Sequence, residues 1–252
     1  MSELEKVLKK NEELEKRILA LEGIKTEIVP KIETYSFSRI SDTILEKLVD
    51  IEKNYERVIF EDWFNFKYQF DENLIKFLND LIDRNELLIS DYHEEDLKIN
   101  FIAPLITKVD FFMLKDRIRS FYNEKLIYKT DKFIFNGEAD FIVSKGMKRA
   151  KKPYFFIQEF KKGEEFGNPR PQLLAEMISA LELNKTKSMR GAFIVGKDWN
   201  FVILEKLGKD KYQYFLSEAF NSTKIAELKR IYKNLQFVKN EVIEMVRQEK
   251  SK

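Results

Sequence analysis

The stretch FIFNGEADFIVSKGMKRAKKPYFFIQEFKKG, residues 133–163, holds two apolar runs of strand character, each with a carboxylate where a strand ordinarily carries an aliphatic side chain. Asp140 lies in the first run. Glu159 ends the second, followed two positions on by Lys161. Residues two apart in a strand share a face, so Glu159 and Lys161 project together. Tyr154, Phe155, Phe156 and Ile157 read as buried on both sides, and an antiparallel hairpin through the basic segment SKGMKRAKK would set Asp140 beside Glu159. Two ionised carboxylates brought together near a sheet repel each other and lose hydration unless a cation lies between them. Oxygen ligands, with no cysteine and one histidine in the chain, favour Mg²⁺ or Mn²⁺ over zinc. A lysine beside them can orient a water and neutralise charge on a phosphate. A bound ion would acidify that water and polarise the phosphoryl oxygen, so the chemistry implied is phosphodiester hydrolysis.

Further strand-like runs follow at 191–196, 200–207 and 211–216, with the amphipathic segment PRPQLLAEMISALELNK, 169–185, before them. Upstream, 92–124 reads as a helix, a break near Pro104, and another helix or helical turn. The class expected is α/β (α+β), with helices flanking a central mixed sheet. Between 30 and 86 the pattern is mainly helical: 41–54 with Ser41 as N-cap, 71–88 with Asp71 as N-cap, and an aromatic segment at 57–70 of open type.

Both ends carry heptad stripes. Leu4, Val7, Asn11, Leu14, Ile18 and Leu21 form a short coiled-coil seam ended by Gly23 and Pro30, and Asn11 occupies a position that often fixes register. Three heptads need a partner to be stable: a second copy is one reading, this chain's own C-terminal helix the other. That helix opens near Ser222 and carries Leu228, Ile231, Leu235, Val238, Val242 and Met245. The expected divisions are a coiled-coil-like helix at 1–29, the helical region at 30–86, an α/β domain at 87–220 and a C-terminal helix at 221–252, with a homodimer through the terminal helices as a partner state.

Over 252 residues, 44% hydrophobic and 13% aromatic content fits a folded chain with a sizeable core. A formal net charge of +2 excludes an argument for nucleic acid from global charge, although 35% of residues are charged and local placement can supply a basic surface. The start is too charged for a signal peptide, and no apolar run reaches membrane-spanning length. Together with the lack of cysteine this leads to the expectation of a soluble, cytoplasmic protein.

GEAD, then eighteen residues, then EFK, then a helix with QLLAE, resembles the PD-(D/E)xK nuclease superfamily, especially variants in the N-terminal nuclease domains of type I restriction subunits. The resemblance spans roughly 90–206. It implies a restriction-endonuclease-like core of helix, three-stranded meander, helix and strand, and an Mg²⁺- or Mn²⁺-dependent nuclease acting on DNA. Asp140, Glu159 and the backbone carbonyl of Phe160 would be the metal ligands, and Lys161 the catalytic lysine. Glu94, with Glu95 as fallback, would supply the acid of the preceding helix, and Gln172 the glutamine that points back to the site. Ala139 replaces the proline of the family's name. Glu176 stands where some relatives have tyrosine.

Each of these has a plainer reading. Asp140 can end a strand, Glu159 and Lys161 can be a solvated edge pair, Glu94 can simply suit a helix N-terminus, and Gln172 can lie on the surface. Lys145, Lys148, Arg149, Lys151 and Lys152 are weak candidates for nucleic-acid contact, since a charged loop is as often merely solvated. Lys162 would face away from Lys161. A nuclease-like fold kept as a catalytically silent nucleic-acid-binding or assembly module is the alternative function.

Overall fold

The computed structural model describes residues 3–21, 32–161 and 168–250. Gly23, Pro30 and Lys162, and the side chain of Leu21, lie outside the described residues. The chain falls into two compact units, Met1–Glu33 and Thr34–Lys252. The first contains α1 (Glu3–Leu21), whose first turn carries Glu3 and Glu5 at the positive end of the helix dipole. Its seam residues Leu4, Val7, Leu14 and Ile18 are all exposed.

After α1 come β1 (Glu33–Ser36), a 3₁₀ turn (Phe37–Arg39), α2 (Asp42–Leu48), β2 (Asp50–Asn54), a 3₁₀ turn (Val58–Phe60), α3 (Glu61–Phe64) and α4 (Glu72–Asn85). Then follow α5 (Glu94–Leu97), a π-helical turn (Lys98–Ile102), α6 (Ala103–Val109), β3 (Ile118–Lys129), β4 (Phe133–Lys145), β5 (Lys151–Lys161) and α7 (Pro169–Asn184). β6 (Ser188–Val195), β7 (Asp198–Gly208), β8 (Lys211–Asn221) and α8 (Ile225–Lys250) complete the series. Ser41 and Asp71 cap α2 and α4 as expected, accepting the N–H of Ile44 and Leu74.

The protein is mixed α/β, with a central mixed sheet of eight strands flanked by helices. Its order is β1-β4-β5-β6-β7-β8-β2, with β3 also paired to β4. The β5–β6 and β8–β2 pairs are parallel, while β3–β4, β4–β5, β6–β7 and β7–β8 are antiparallel. Alternating side chains feed two cores. Phe156, Phe160, Ile194, Phe201 and Ile203 meet the helices α3 to α6 and α8, whereas Ile157, Phe193, Val202 and Leu204 meet α7 and α2. Gly191 lets α7 close on the sheet, because a Cβ there would lie 2.6 Å from Met177 Sδ.

Several expectations change. The helix over 41–54 stops at Leu48: Val49 turns extended and Asp50–Asn54 pairs in parallel with β8, whose edge would otherwise lack partners. Residues 118–129, read as helical up to 124, form β3, since pairing along nearly the whole of β4 outweighs local helix propensity. Pro104 does not break its helix. It follows directly on the π turn, where the Ala103 N–H reaches back to the Lys98 carbonyl, and this wider turn accommodates the proline while α5 and α6 stay continuous. α8 begins at Ile225, and Ser222 bonds the carbonyl of Lys197 instead of capping it.

The C-terminal stripe is not a dimer seam. Leu228, Ile231, Leu235, Val238 and Val242 are buried in the core with α4 and α6, and only Met245 stays exposed. Tyr232 and Lys239 of α8 donate to the carbonyls of Lys108 and Val109, satisfying the end of α6. Residues 34–86, 87–220 and α8, set apart in the sequence, therefore share one core. Among the described residues no helix is long and apolar enough to cross a membrane.

Candidate active site

β4 and β5 part at the two carboxylates. Their register pairs run from Lys145↔Lys151 to Phe141↔Gln158 and go no further. Continuing the register would set Asp140 opposite Glu159, but there Asp140 Oδ2 accepts the backbone N–H of Phe160 at 2.9 Å. A strand residue's N–H and C=O leave the same side of the chain, so the Phe160 carbonyl also faces the gap. Glu159 is 1% exposed, and Lys161 Nζ donates to its Oε1 at 2.9 Å. The shared face read from the sequence is thus realised as a direct ion pair.

From the other core layer, α5 and the π turn reach the same gap. Lys161 Nζ lies 3.8 Å from Glu94 Oε2, so Glu94 joins the cluster. Glu95 binds Lys98 at 3.2 Å, and Lys98 Nζ sits 3.3 Å from Asp140 Oδ1 and 4.0 Å from Glu94 Oε1. Lys98 is 6% exposed. It is the site residue that sequence reasoning missed, although a signal existed: Lys98, Ile102, Leu105 and Val109 fall on one helical stripe whose other members are apolar and buried.

α7 forms a third wall. Gln172 Nε2 donates to Glu176 Oε1 at 3.1 Å, and both are buried. On the far side, Phe37 packs so closely on β4 that a Cβ at Gly137 would lie 2.6 Å from its ring, which brings Ser36 and Ser38 to the rim. The resulting cleft, about 600 Å³, is lined by Asp140, Glu159, Lys161, Gln172, Lys125 and Ser38 among others.

Burial pushes the Glu159 carboxyl up to about 8, and the neighbouring charge of Asp140 adds to this against the pull of Lys161. Glu176, wholly buried, is driven well above the usual carboxylate range by desolvation and then by Glu159. Desolvation pulls both lysines down, yet their acids outweigh it. Lys98 is raised by Asp140 and Glu95, and Lys161 by Glu159, Glu94 and Asp140.

The structure therefore brings Asp140, Glu159, Phe160, Lys161, Glu94 and Gln172 together. It does not bring the basic hairpin to them. Lys145 lies ~17 Å along β4 from Asp140 at about 3.4 Å per residue, with Lys148 and Arg149 in the turn beyond it and Lys151 and Lys152 opening β5.

The donors suit a hard divalent cation. Glu159 Oε2 is buried with no hydrogen-bond partner, an acceptor that an ion would satisfy. Among the described residues no three His, Cys, Asp or Glu side chains gather at one point. An ion here would take two carboxylates and a carbonyl and complete its shell with water, the usual habit of Mg²⁺. No protein-family model matches the chain, and no curated protein matches it.

Proposed function

We propose that this chain is a metal-dependent nuclease of restriction-endonuclease-like core that hydrolyses phosphodiester bonds, with DNA as substrate. The observation that carries the reading is the convergence of Asp140, Glu159 and Lys161 where β4 and β5 part, at the floor of an open cleft. Such a trio is electrostatically costly, and a purely structural sheet has no need of it. Asp140, Glu159 and the Phe160 carbonyl would hold Mg²⁺ or Mn²⁺. The ion, when bound, supplies Lewis acidity and a more acidic water. Lys161, fixed by Glu159 and Glu94, is placed to hold a water for attack on phosphorus and to offset charge developing on the phosphoryl oxygens. Glu94 orients that lysine. Gln172, at the cleft wall, can donate to substrate once it leaves Glu176. The exposed seam of α1 is the surface through which two copies would pair, giving one site for each strand of a duplex.

One observation favours the silent module: Asp140 and Glu159 already have lysine partners, which is what a binding fold without a metal would also require. Plasmid and single-stranded DNA incubated with the purified chain in Mg²⁺, Mn²⁺ or EDTA separate the two. Cleavage that needs the metal and is lost in Lys161→Ala supports the nuclease. DNA binding with no cleavage in either ion supports the module.

A further inference from the structure

We propose that Lys98 is a second phosphate-contacting cation of this site: it neutralises Asp140 while no metal is bound and passes to the scissile phosphodiester when Asp140 ligates the ion. This role presupposes the nuclease reading and assigns it a residue that the motif does not contain. The two oxygens of Asp140 have different partners. Oδ2 is tied to the Phe160 N–H at 2.9 Å, whereas Oδ1 faces the Lys98 ammonium at 3.3 Å. Oδ1 is therefore the oxygen an incoming cation would take, and Lys98 is the group that must yield it.

A packing role alone does not account for a lysine here. Its stripe partners Ile102, Leu105 and Val109 show that the groove accepts aliphatic side chains, and burying an ammonium is unfavourable unless its charge is used. A dication on Asp140 would compete for the oxygen that Lys98 now holds and would repel its ammonium, leaving Glu95 and Glu94 as its acids. A phosphodiester supplies the missing anion. Lysine's point charge on a flexible stem, resting 5.7 Å from the Phe160 ring, can swing to it with Glu95 still in reach. Lys161, held by Glu159 Oε1 while Oε2 is left for the ion, supplies the other ammonium, so the phosphate would meet one from each core layer.

Opposite signs on two bindings make the test. Mn²⁺ is titrated into the full chain and into Lys98→Met and Lys98→Gln, followed by electron paramagnetic resonance. A short DNA duplex is then titrated in Ca²⁺. The glutamine variant keeps a hydrogen-bond donor for Asp140 and keeps the experiment readable if the methionine variant does not fold. The expected result is Mn²⁺ binding tighter by about tenfold or more in the variants, because no cation has to be displaced, with duplex binding weaker by about tenfold. Melting of the variants in EDTA falls below that of the parent and recovers with Mn²⁺. Equal Mn²⁺ affinity in parent and variants overturns the role of Lys98 and leaves the nuclease reading standing. Tighter Mn²⁺ with unchanged duplex binding overturns the transfer to phosphate. No Mn²⁺ binding by the parent removes the nuclease reading and this role together.

Discussion

The two ends of the β4–β5 pair hold opposite charges and treat them differently. At the hairpin end Lys148, Arg149, Lys151 and Lys152 stand exposed, spread along a turn. At the open end Asp140 and Glu159 are drawn under cover and each is matched to an ammonium at about hydrogen-bond distance. Water screens the first group, so its net charge is felt weakly and over a distance. The second group sits where removal of a partner leaves a charge stranded. Burial combined with pairing, rather than local charge density, is what sets the candidate site apart from a solvated basic loop.

The largest expected effect comes from the buried end. Lys161→Ala should cut metal-dependent DNA cleavage by on the order of 10²–10³-fold, the usual loss when one donor to a developing charge is removed, measured as the initial rate of plasmid nicking. Replacing both Lys148 and Arg149 by alanine should leave turnover of bound substrate unchanged. Equal losses from the two ends would break the contrast.

Stability should follow the same division. Asp140→Ala leaves Lys98 buried without its main partner and should lower the unfolding free energy by about 3 kcal/mol, read from the urea midpoint in EDTA. The hairpin substitutions, on exposed side chains, should stay within about 0.5 kcal/mol of the parent. An unchanged midpoint for Asp140→Ala would show that the pair between Lys98 and Asp140 contributes little to stability.

How much of this was legible follows from what each residue answers to. The hairpin, the shared face of Glu159 and Lys161 and the caps Ser41 and Asp71 depend on spacing and local hydrogen bonds, which a sequence displays directly. β2 and β3 were hidden because their strand state is set by distant partners, β8 and β4, and not by their own pattern. Lys98 was hidden for the same kind of reason. Its helical stripe marks it as inward-facing, but only tertiary structure shows that Asp140 waits there. In α8 and α1 similar stripes met different fates, one consumed by the core and one left exposed, and a heptad alone does not distinguish them.

The pH dependence sharpens the contrast further. Folding raises Glu159 from its ordinary 4.5 to about 8, so between those values the folded chain holds a proton that the unfolded chain has lost. Its contribution is complete below the unfolded value and is lost as pH rises through about 8. Metal-free melting should therefore fall from pH 5 to about pH 8.5. Glu159→Gln should make that slope shallower and leave the part that the buried Glu176 contributes. Mg²⁺ binding, which requires the ionised carboxylate, should tighten across the same range. A parent slope identical to that of Glu159→Gln would mean that Glu159 is already ionised in the folded chain.

The smallest effect belongs to the exposed end, and it is a matter of salt. If the hairpin touches DNA at all, it does so ~17 Å or more from the reacting phosphate, through phosphate pairings that release counterions and carry no sequence information. Substituting Lys148 and Arg149 by alanine should then weaken duplex binding in Ca²⁺ at low salt and shallow the log–log salt dependence by about one for each phosphate that is no longer neutralised. The difference should shrink as salt rises, because screened charges have less left to give. A salt slope that does not move assigns the hairpin to solvent, and the whole substrate-binding charge must then come from the cleft, whose wall carries both Lys125 and Lys161.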